Sequence, residues 1–309
     1  MSRRWEEISG LADSACHPGA RFLMFHIMAA VATRKRALQR FAVIGFGAIG
    51  DEIVRCLEAR AETDTLVGFL DRPERIAELE RKSAGRFPIV SELECLLALE
   101  PDLIVEAAGH GAVSRFGAEV LARGFDLLIA STGALAEKKL AASLVAAAAP
   151  GTELWIASGA VAGIDGLLAA RTLGPHAVTY TSAKGPKAWV GTAAEAKLAG
   201  REAERVIFFQ GTARAAAVQY PQNANVAATV ALASLGLDRT RVALVSDPAV
   251  RGPLGIIEAD GEFGSFRFEI LALASPANPK TSAITGHSLV AAVHDGMAFR
   301  ALETVRNSP

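Results

Sequence analysis

Residues 41–50 read Phe-Ala-Val-Ile-Gly-Phe-Gly-Ala-Ile-Gly, and no other stretch narrows the possible folds so far. The opening apolar run suits a strand buried on both faces. Residues 49–61 follow with helical spacing, placing Ile53, Val54 and Leu57 on one side. Glycines at 45, 47 and 50 therefore lie between a strand and a helix, the setting in which this spacing binds a dinucleotide. The first glycine permits a tight turn, the second lets a pyrophosphate approach the backbone, and the third lets helix and strand pack closely. The phosphates then meet free N–H groups at a helix N-terminus. Gly45, Phe46, Gly47, Ala48, Ile49 and Gly50 are the candidate cofactor loop. Asp71 stands 21 positions after Gly50 at the end of a second strand, 65–70, where an acid bonds the ribose hydroxyls of NAD. Arg72 beside it attracts a 2′-phosphate. The sequence favours NAD and leaves NADP open.

The pattern continues in kind. Residues 102–107, 126–130 and 153–157 read as strands, and 74–81, 91–99, 113–123 and 135–148 as helices. Strand and helix alternating at short intervals predict an α/β domain whose parallel sheet is covered on both faces. Three strand ends are rich in small residues: Ala107-Ala108-Gly109-His110, Ser131-Thr132-Gly133-Ala134 and Ser158-Gly159-Ala160. Ligands bind outside such ends, so Ala108, Ser131 and Ala160 are expected near the nicotinamide. His110, at a helix entry, reads as a surface histidine. After residue 160 the character changes. Residues 178–183, 241–246, 255–259 and 265–274 are strand candidates, the last pair separated by an Asp260-Gly261 turn signal, and 225–235 and 282–293 look helical. This predicts an antiparallel sheet with helices, an α+β domain. The expected division is 1–38 as an N-terminal extension outside the ordered fold, 39–160 for the dinucleotide and 161–282 for the α+β domain, with 283–309 packing back on the first.

Composition removes several classes of function. Lys plus Arg is 32 against 33 for Asp plus Glu, a formal charge of -1, which offers no global attraction to nucleic acid or an anionic membrane. No apolar stretch reaches the roughly 20 residues that span a bilayer. Cys16, Cys56 and Cys95 are widely spaced and form no metal or disulfide pattern, which suits free thiols in a reducing cytoplasm. The six histidines, at 17, 26, 110, 176, 287 and 294, show no clustering of metal-ligand type, so no metal is expected. Residues 1–38 lack a clean signal-peptidase site. They read as a non-catalytic extension, or as an early start with Met24 and Met28 as alternatives.

Longer motifs carry a resemblance. Residues 44–50, Val105-Glu-Ala-Ala108, Ser158-Gly-Ala-Val-Ala-Gly-Ile-Asp165, Lys184-Gly-Pro-Lys187, Tyr220-Pro-Gln-Asn-Ala-Asn-Val-Ala-Ala228 and Asn278-Pro-Lys-Thr-Ser282 resemble the L-aspartate dehydrogenases from about residue 41 to 293. The resemblance implies a Rossmann-type dinucleotide-binding domain, a second α+β domain for substrate and dimerisation, and a homodimer. It implies oxidative deamination of L-aspartate with NAD or NADP through iminoaspartate to oxaloacetate and ammonia, or the reverse reductive amination. The imine can feed quinolinate and NAD synthesis. Ala160 and Asn225 would contact the cofactor. One departure matters: the family carries a proton-transferring histidine several residues after an Asp-Pro turn, and here Gly255 follows Asp247-Pro248 at that place.

An aspartate substrate brings two carboxylates and an ammonium, so its pocket needs cationic and amide donors. Lys184, Lys187, Asn223, Lys280 and Thr281 lie in the family-like segments and are the candidate substrate contacts, with Asn278 and Ser282 beside them. The proton acceptor has three possible sources: His287, close after Asn278-Pro-Lys-Thr-Ser282, a desolvated lysine, or no such group, as when an imine is reduced and released. Two rival readings stand beside the first. One is a dehydrogenase or imine reductase for another amino acid or imine. The other is a dinucleotide-binding sensor or scaffold without turnover.

Overall fold

The computed structural model describes residues 39–306 apart from 222, 276 and 277, and describes the backbone but not the side chains of 274–275 and 278–281. The expectation for residues 1–38 lies outside the described residues. The first part of the described chain alternates as predicted. It runs β1 (Phe41–Ile44), α1 (Ala48–Arg60), β2 (Leu66–Leu70), α2 (Ile76–Ser83), β3 (Ile89–Val90), α3 (Leu93–Leu97), β4 (Leu103–Glu106), α4 (His110–Ala122), β5 (Asp126–Ile129), α5 (Lys138–Ala147) and β6 (Leu154–Ala157). Next come α6 (Ile164–Arg171), β7 (Pro175–Lys184), α7 (Glu195–Leu198), β8 (Val206–Thr212), α8 (Ala213–Gln219), α9 (Asn225–Leu232), β9 (Arg241–Ser246), β10 (Leu254–Gly261) and β11 (Gly264–Leu271). The chain continues through β12 (Ala274–Ser275), β13 (Asn278–Ser282), α10 (Ile284–Asp295), β14 (Ala298–Arg300) and α11 (Leu302–Arg306).

The larger sheet has the order β14-β6-β5-β4-β1-β2-β3. Its strands are parallel except β14, which runs antiparallel to β6 with Phe299 opposite Ile156. Alternation places Phe41 and Val43 of β1 in one apolar cluster, with Ile53 and Leu57 of α1 and Val290 of α10. Ala42 and Ile44 enter the other, with Val113 of α4 and Leu144 of α5. Strand order reverses at β1, which pairs with β2 on one side and β4 on the other. The loops leaving β1 and β4 therefore diverge, and a crevice opens at their carboxyl ends.

The second sheet has the order β11-β10-β7-β9-β8. It is mixed rather than purely antiparallel, because β7 and β9 run parallel. The strand that makes this possible, β8, escapes the sequence pattern. A register shift between Ile207 and Phe209 breaks the alternation that marks a half-buried strand. The β10–β11 hairpin forms as expected, with Gly261 paired to Gly264 and Glu262-Phe263 at its tip. Strand β11 ends at Leu271 rather than 274. There Ala272 turns its N–H to the Pro253 carbonyl at 2.8 Å. The apolar cluster holding Ile44 and Ile104 also takes in Tyr180, Phe208, Leu244 and Ile257 of the second sheet, so one core runs beneath both. No helix among the described residues is long and apolar enough to cross a membrane.

Candidate functional site

The glycine loop meets three different surroundings. At Gly45, whose φ is +104°, an added Cβ would lie 2.7 Å from the Ala108 Cβ. At Gly50 it would lie 2.9 Å from the Gly45 carbonyl. At Gly47 it would meet nothing within 4 Å. The outer two glycines thus close the strand–loop–helix packing, and the middle one faces open space. Helix α1 starts at that point with no side chain among the described residues capping its N-terminus, so its first N–H groups remain for an anion. These features fit the pyrophosphate of a dinucleotide. The Phe46 ring is buried and stacked on Phe69 at 3.9 Å, while its N–H donates to Asp71 Oδ2 at 2.8 Å. Ala48 opens α1, and Ile49 lines the second cavity described below.

A cavity of about 490 Å³ lies beside this loop, lined by Gly45, Gly47, Asp71, Arg72, Arg75 and Ala108 among others. Asp71 directly follows β2 and is buried, and Arg72 beside it is exposed. Arg75, which sequence reasoning missed, closes on Asp71 from the next turn.

Glu106 shapes the neighbouring strand ends. It is the last residue of β4 and fully buried. Its Oε1 accepts from the N–H groups of Ala108 at 2.8 Å and Gly109 at 2.7 Å and from the Ser131 hydroxyl at 2.9 Å, and its Oε2 accepts from the Ser131 N–H at 3.0 Å. Burial pushes its pKa up, and these hydrogen bonds act against that rise. Both loops of small residues are therefore folded around one carboxylate. The Ser131 hydroxyl and N–H are both spent on it.

A second cavity, about 130 Å³, is lined by Ile49, Ser131, Ala160, Tyr180, Lys184, Asn223, Asn225 and Gly255 among others. Asn225 begins α9. Its Oδ1 accepts from the Gly133 N–H at 3.1 Å and meets His110 Nε2 at 2.9 Å, and its carbonyl accepts from the Thr132 hydroxyl at 2.6 Å. With Oδ1 held by two donors, its Nδ2 has a fixed direction. His110 is therefore a half-buried clamp on Asn225, a role that the surface-histidine reading missed.

Lys184 ends β7. Its Nζ donates to Asn223 Oδ1 at 3.0 Å and lies 5.5 Å from the Trp189 ring centroid. No carboxylate among the described residues pairs with it, and burial lowers its pKa to about 8. Asn223 is 7% exposed, and its Nδ2 has no hydrogen-bond partner among the described residues. Tyr180 is buried, with its pKa raised to about 12 by desolvation. A Cβ at Gly255 would lie 3.2 Å from the Tyr180 hydroxyl. Tyr180 and Lys184 are the titratable side chains on this wall among the described residues.

Other sequence candidates lie elsewhere. Lys187 is exposed and outside both cavities. Lys280 and Thr281 belong to β13, whose final residue Ser282 lines the second cavity. Their own side chains lie outside the description. His287 is exposed on α10, although its neighbours Ser288 and Leu289 line the cavity. No group of three or more potential metal ligands gathers among the described residues.

Residues 45–155 match the family model described as homoserine dehydrogenase, NAD binding domain, and residues 165–295 match that described as aspartate dehydrogenase, C-terminal. An L-aspartate dehydrogenase of Ruegeria pomeroyi is 43% identical over 266 residues, covering 84% of this chain and 94% of its own. The chain belongs to the L-aspartate dehydrogenase family. A second member, L-aspartate dehydrogenase 2 of Bordetella pertussis, is 40% identical over 266 residues, 84% of this chain and 97% of its own. The crystal structure of aspartate dehydrogenase from Thermotoga maritima shares the fold. Its TM-score is 0.61 at 20% identity, over 83% of this chain and 96% of that one. Within this L-aspartate dehydrogenase family chain, Gly255 lies on β10 opposite Ser182. The position that the resemblance gives to a histidine is thus at the cavity wall.

Proposed function

We propose that this chain catalyses NAD- or NADP-dependent oxidative deamination of L-aspartate to iminoaspartate, which hydrolyses to oxaloacetate and ammonium, and the reverse reductive amination. One observation carries the substrate reading. A desolvated amine with no carboxylate partner among the described residues, Lys184, touches Asn223, which keeps one buried amide nitrogen unbonded among them. A half-buried, desolvated cation beside a spare donor suits an anion, and a dicarboxylate supplies one. Lys280 and Thr281, on the strand ending at Ser282, are read as further contacts for it.

In the oxidation the Cα–H bond breaks, the hydride leaves, the nitrogen sheds a proton, and a C=N bond forms. A bound nicotinamide supplies the hydride acceptor. The chain's residues do the rest. Lys184 and Asn223 hold a carboxylate, and Asn225, clamped by His110 and Gly133, lends its amide to the cofactor. The proton from the nitrogen leaves to solvent, because Lys184 is already a cation while it holds the carboxylate and the Tyr180 phenol, its pKa raised to about 12, is protonated at neutral pH. A second reading, reduction of a preformed imine, is favoured by Gly255, which carries no group to take a proton. A panel of amino acids, and of keto acids with ammonia, run with both dinucleotides decides among these. Aspartate turnover supports the first reading and turnover of another imine the second. Cofactor binding without change in nicotinamide absorbance would leave a sensor or scaffold. The same reading has a homodimer in a reducing cytoplasm, supported by exposed Leu271 and Leu273 on the second sheet's side and by the free thiol of Cys95.

The lysine also sets a pH dependence. With its pKa lowered to about 8, the free enzyme carries the cation below that pH and loses it above. A bound carboxylate favours the charged form and raises that pKa. The aspartate KM is therefore expected to stay level towards neutrality and to climb about tenfold per unit on the alkaline side, with kcat steadier over the same window. Initial-rate measurements across pH check this. For the clamp, His110→Ala is expected to raise the dinucleotide KM about fivefold, the worth of one neutral hydrogen bond, with a larger rise in Asn225→Ala.

A further inference from the structure

The first cavity holds more positive charge than a ribose site with one acid requires. Its wall carries Arg72, Arg75 and Arg115 against Asp71. An aspartate at this place ordinarily repels a 2′-phosphate, but both of its oxygens are engaged here. Oδ2 accepts from the Phe46 N–H at 2.8 Å, and Oδ1 from the Arg72 N–H at 2.8 Å. Arg75 Nη1 reaches Oδ1 at 3.2 Å and Oδ2 at 3.1 Å, and its Nη2 lies 3.4 Å from the Phe46 carbonyl. Arg75 thus ties the end of β2 to the glycine loop and neutralises the carboxylate between them. Two other cations remain for an anion. Arg115 stacks over Phe116 at 4.7 Å, with no carboxylate paired to it among the described residues. Arg72 is 68% exposed and 3.5 Å from Glu74, itself 64% exposed, a pair weakened by solvent. Glu78, 3.8 Å from Arg75, is equally exposed to screening.

We propose that Arg75 is the residue that admits a 2′-phosphorylated dinucleotide: paired to Asp71 it removes the repulsion, so NADP and NAD share this cavity and Arg75 sets the ratio of their affinities. The inference rests on the dinucleotide reading of the glycine loop. Calorimetric titration of the full chain with NAD, NADP, ADP and 2′,5′-ADP tests it without turnover. The wild type is expected to bind both dinucleotides. Arg75→Gln should shift the ratio about tenfold or more towards NAD and ADP, because the exposed carboxylate then opposes the phosphate. Arg75→Lys should hold the ratio within about threefold of wild type, since the charge is kept. Adding Asp71→Ser to Arg75→Gln should return 2′,5′-ADP binding, because nothing is left to repel it. Binding of NAD but not NADP by the wild type, a smaller shift in Arg75→Gln, or no recovery in the double variant overturns the inference. If neither dinucleotide binds, the reading beneath it falls as well, and ADP separates that failure from loss of the 2′-phosphate preference alone.

Discussion

Replacing Lys184 by alanine is expected to raise the KM for aspartate about a hundredfold, the worth of a charge-assisted hydrogen bond in a desolvated site. The turnover number should fall much less if the lysine anchors a carboxylate in ground state and transition state alike. Lys184→Met, close in volume, should behave like alanine. Lys184→Arg should recover little, because a planar guanidinium does not fit beside Asn223 and Trp189 as a point charge does. The variants should also lose the alkaline rise in KM, since the titrating amine is gone. Steady-state kinetics across pH with aspartate measure all of these. A Lys184→Ala enzyme with unchanged KM would remove the lysine from substrate binding.

The second large effect is expected at Glu106, through the fold of the site. Glu106→Gln keeps the shape but swaps one acceptor oxygen for an NH2 group, and each of its hydrogen-bond partners among the described residues is a donor. The Ser131 hydroxyl can turn to accept, whereas the N–H groups of Ala108, Gly109 and Ser131 cannot. Leaving at least one of them buried and unpaired is expected to cost about 3 kcal/mol. In a protein of this size that lowers Tm by roughly 6–10 °C. Dinucleotide affinity should fall with it, because both loops lose the group that folds them. Thermal unfolding with and without NAD measures both. A shift below about 2 °C would mean that the loops hold their shape without the carboxylate.

Local features were legible in the sequence, and contacts between distant residues were not. The glycine loop and Asp71 announce themselves because their spacing follows from one strand, one turn and one helix. The clamp of His110 on Asn225 spans 115 positions, and no periodicity records such a pairing. Glu106 left a sign that could have been read. A carboxylate closing the run Leu-Ile-Val-Glu of a buried strand requires donors around it, and the small-residue turns nearby are where they stand. His287 was drawn towards the cleft by its nearness to Asn278-Pro-Lys-Thr-Ser282, but one helical position is a turn of about 100°. That angle separates it from Ser288, which does line the cavity. The second sheet was misread in direction because the bulge in β8 hid the strand that pairs with β9.

The return of β14 to the side of β6 has a consequence for biosynthesis. Until residue 300 has left the ribosome, β6 is a bare edge with unsatisfied backbone groups. Until α10, just before β14, has emerged, α1 lacks the helix whose Gly286 packs against Glu52. The nucleotide-binding half, although it comes first in the chain, is thus completed late. A nascent chain stalled near residue 270 should be held by chaperones or degraded, and should not be recovered on a dinucleotide affinity resin.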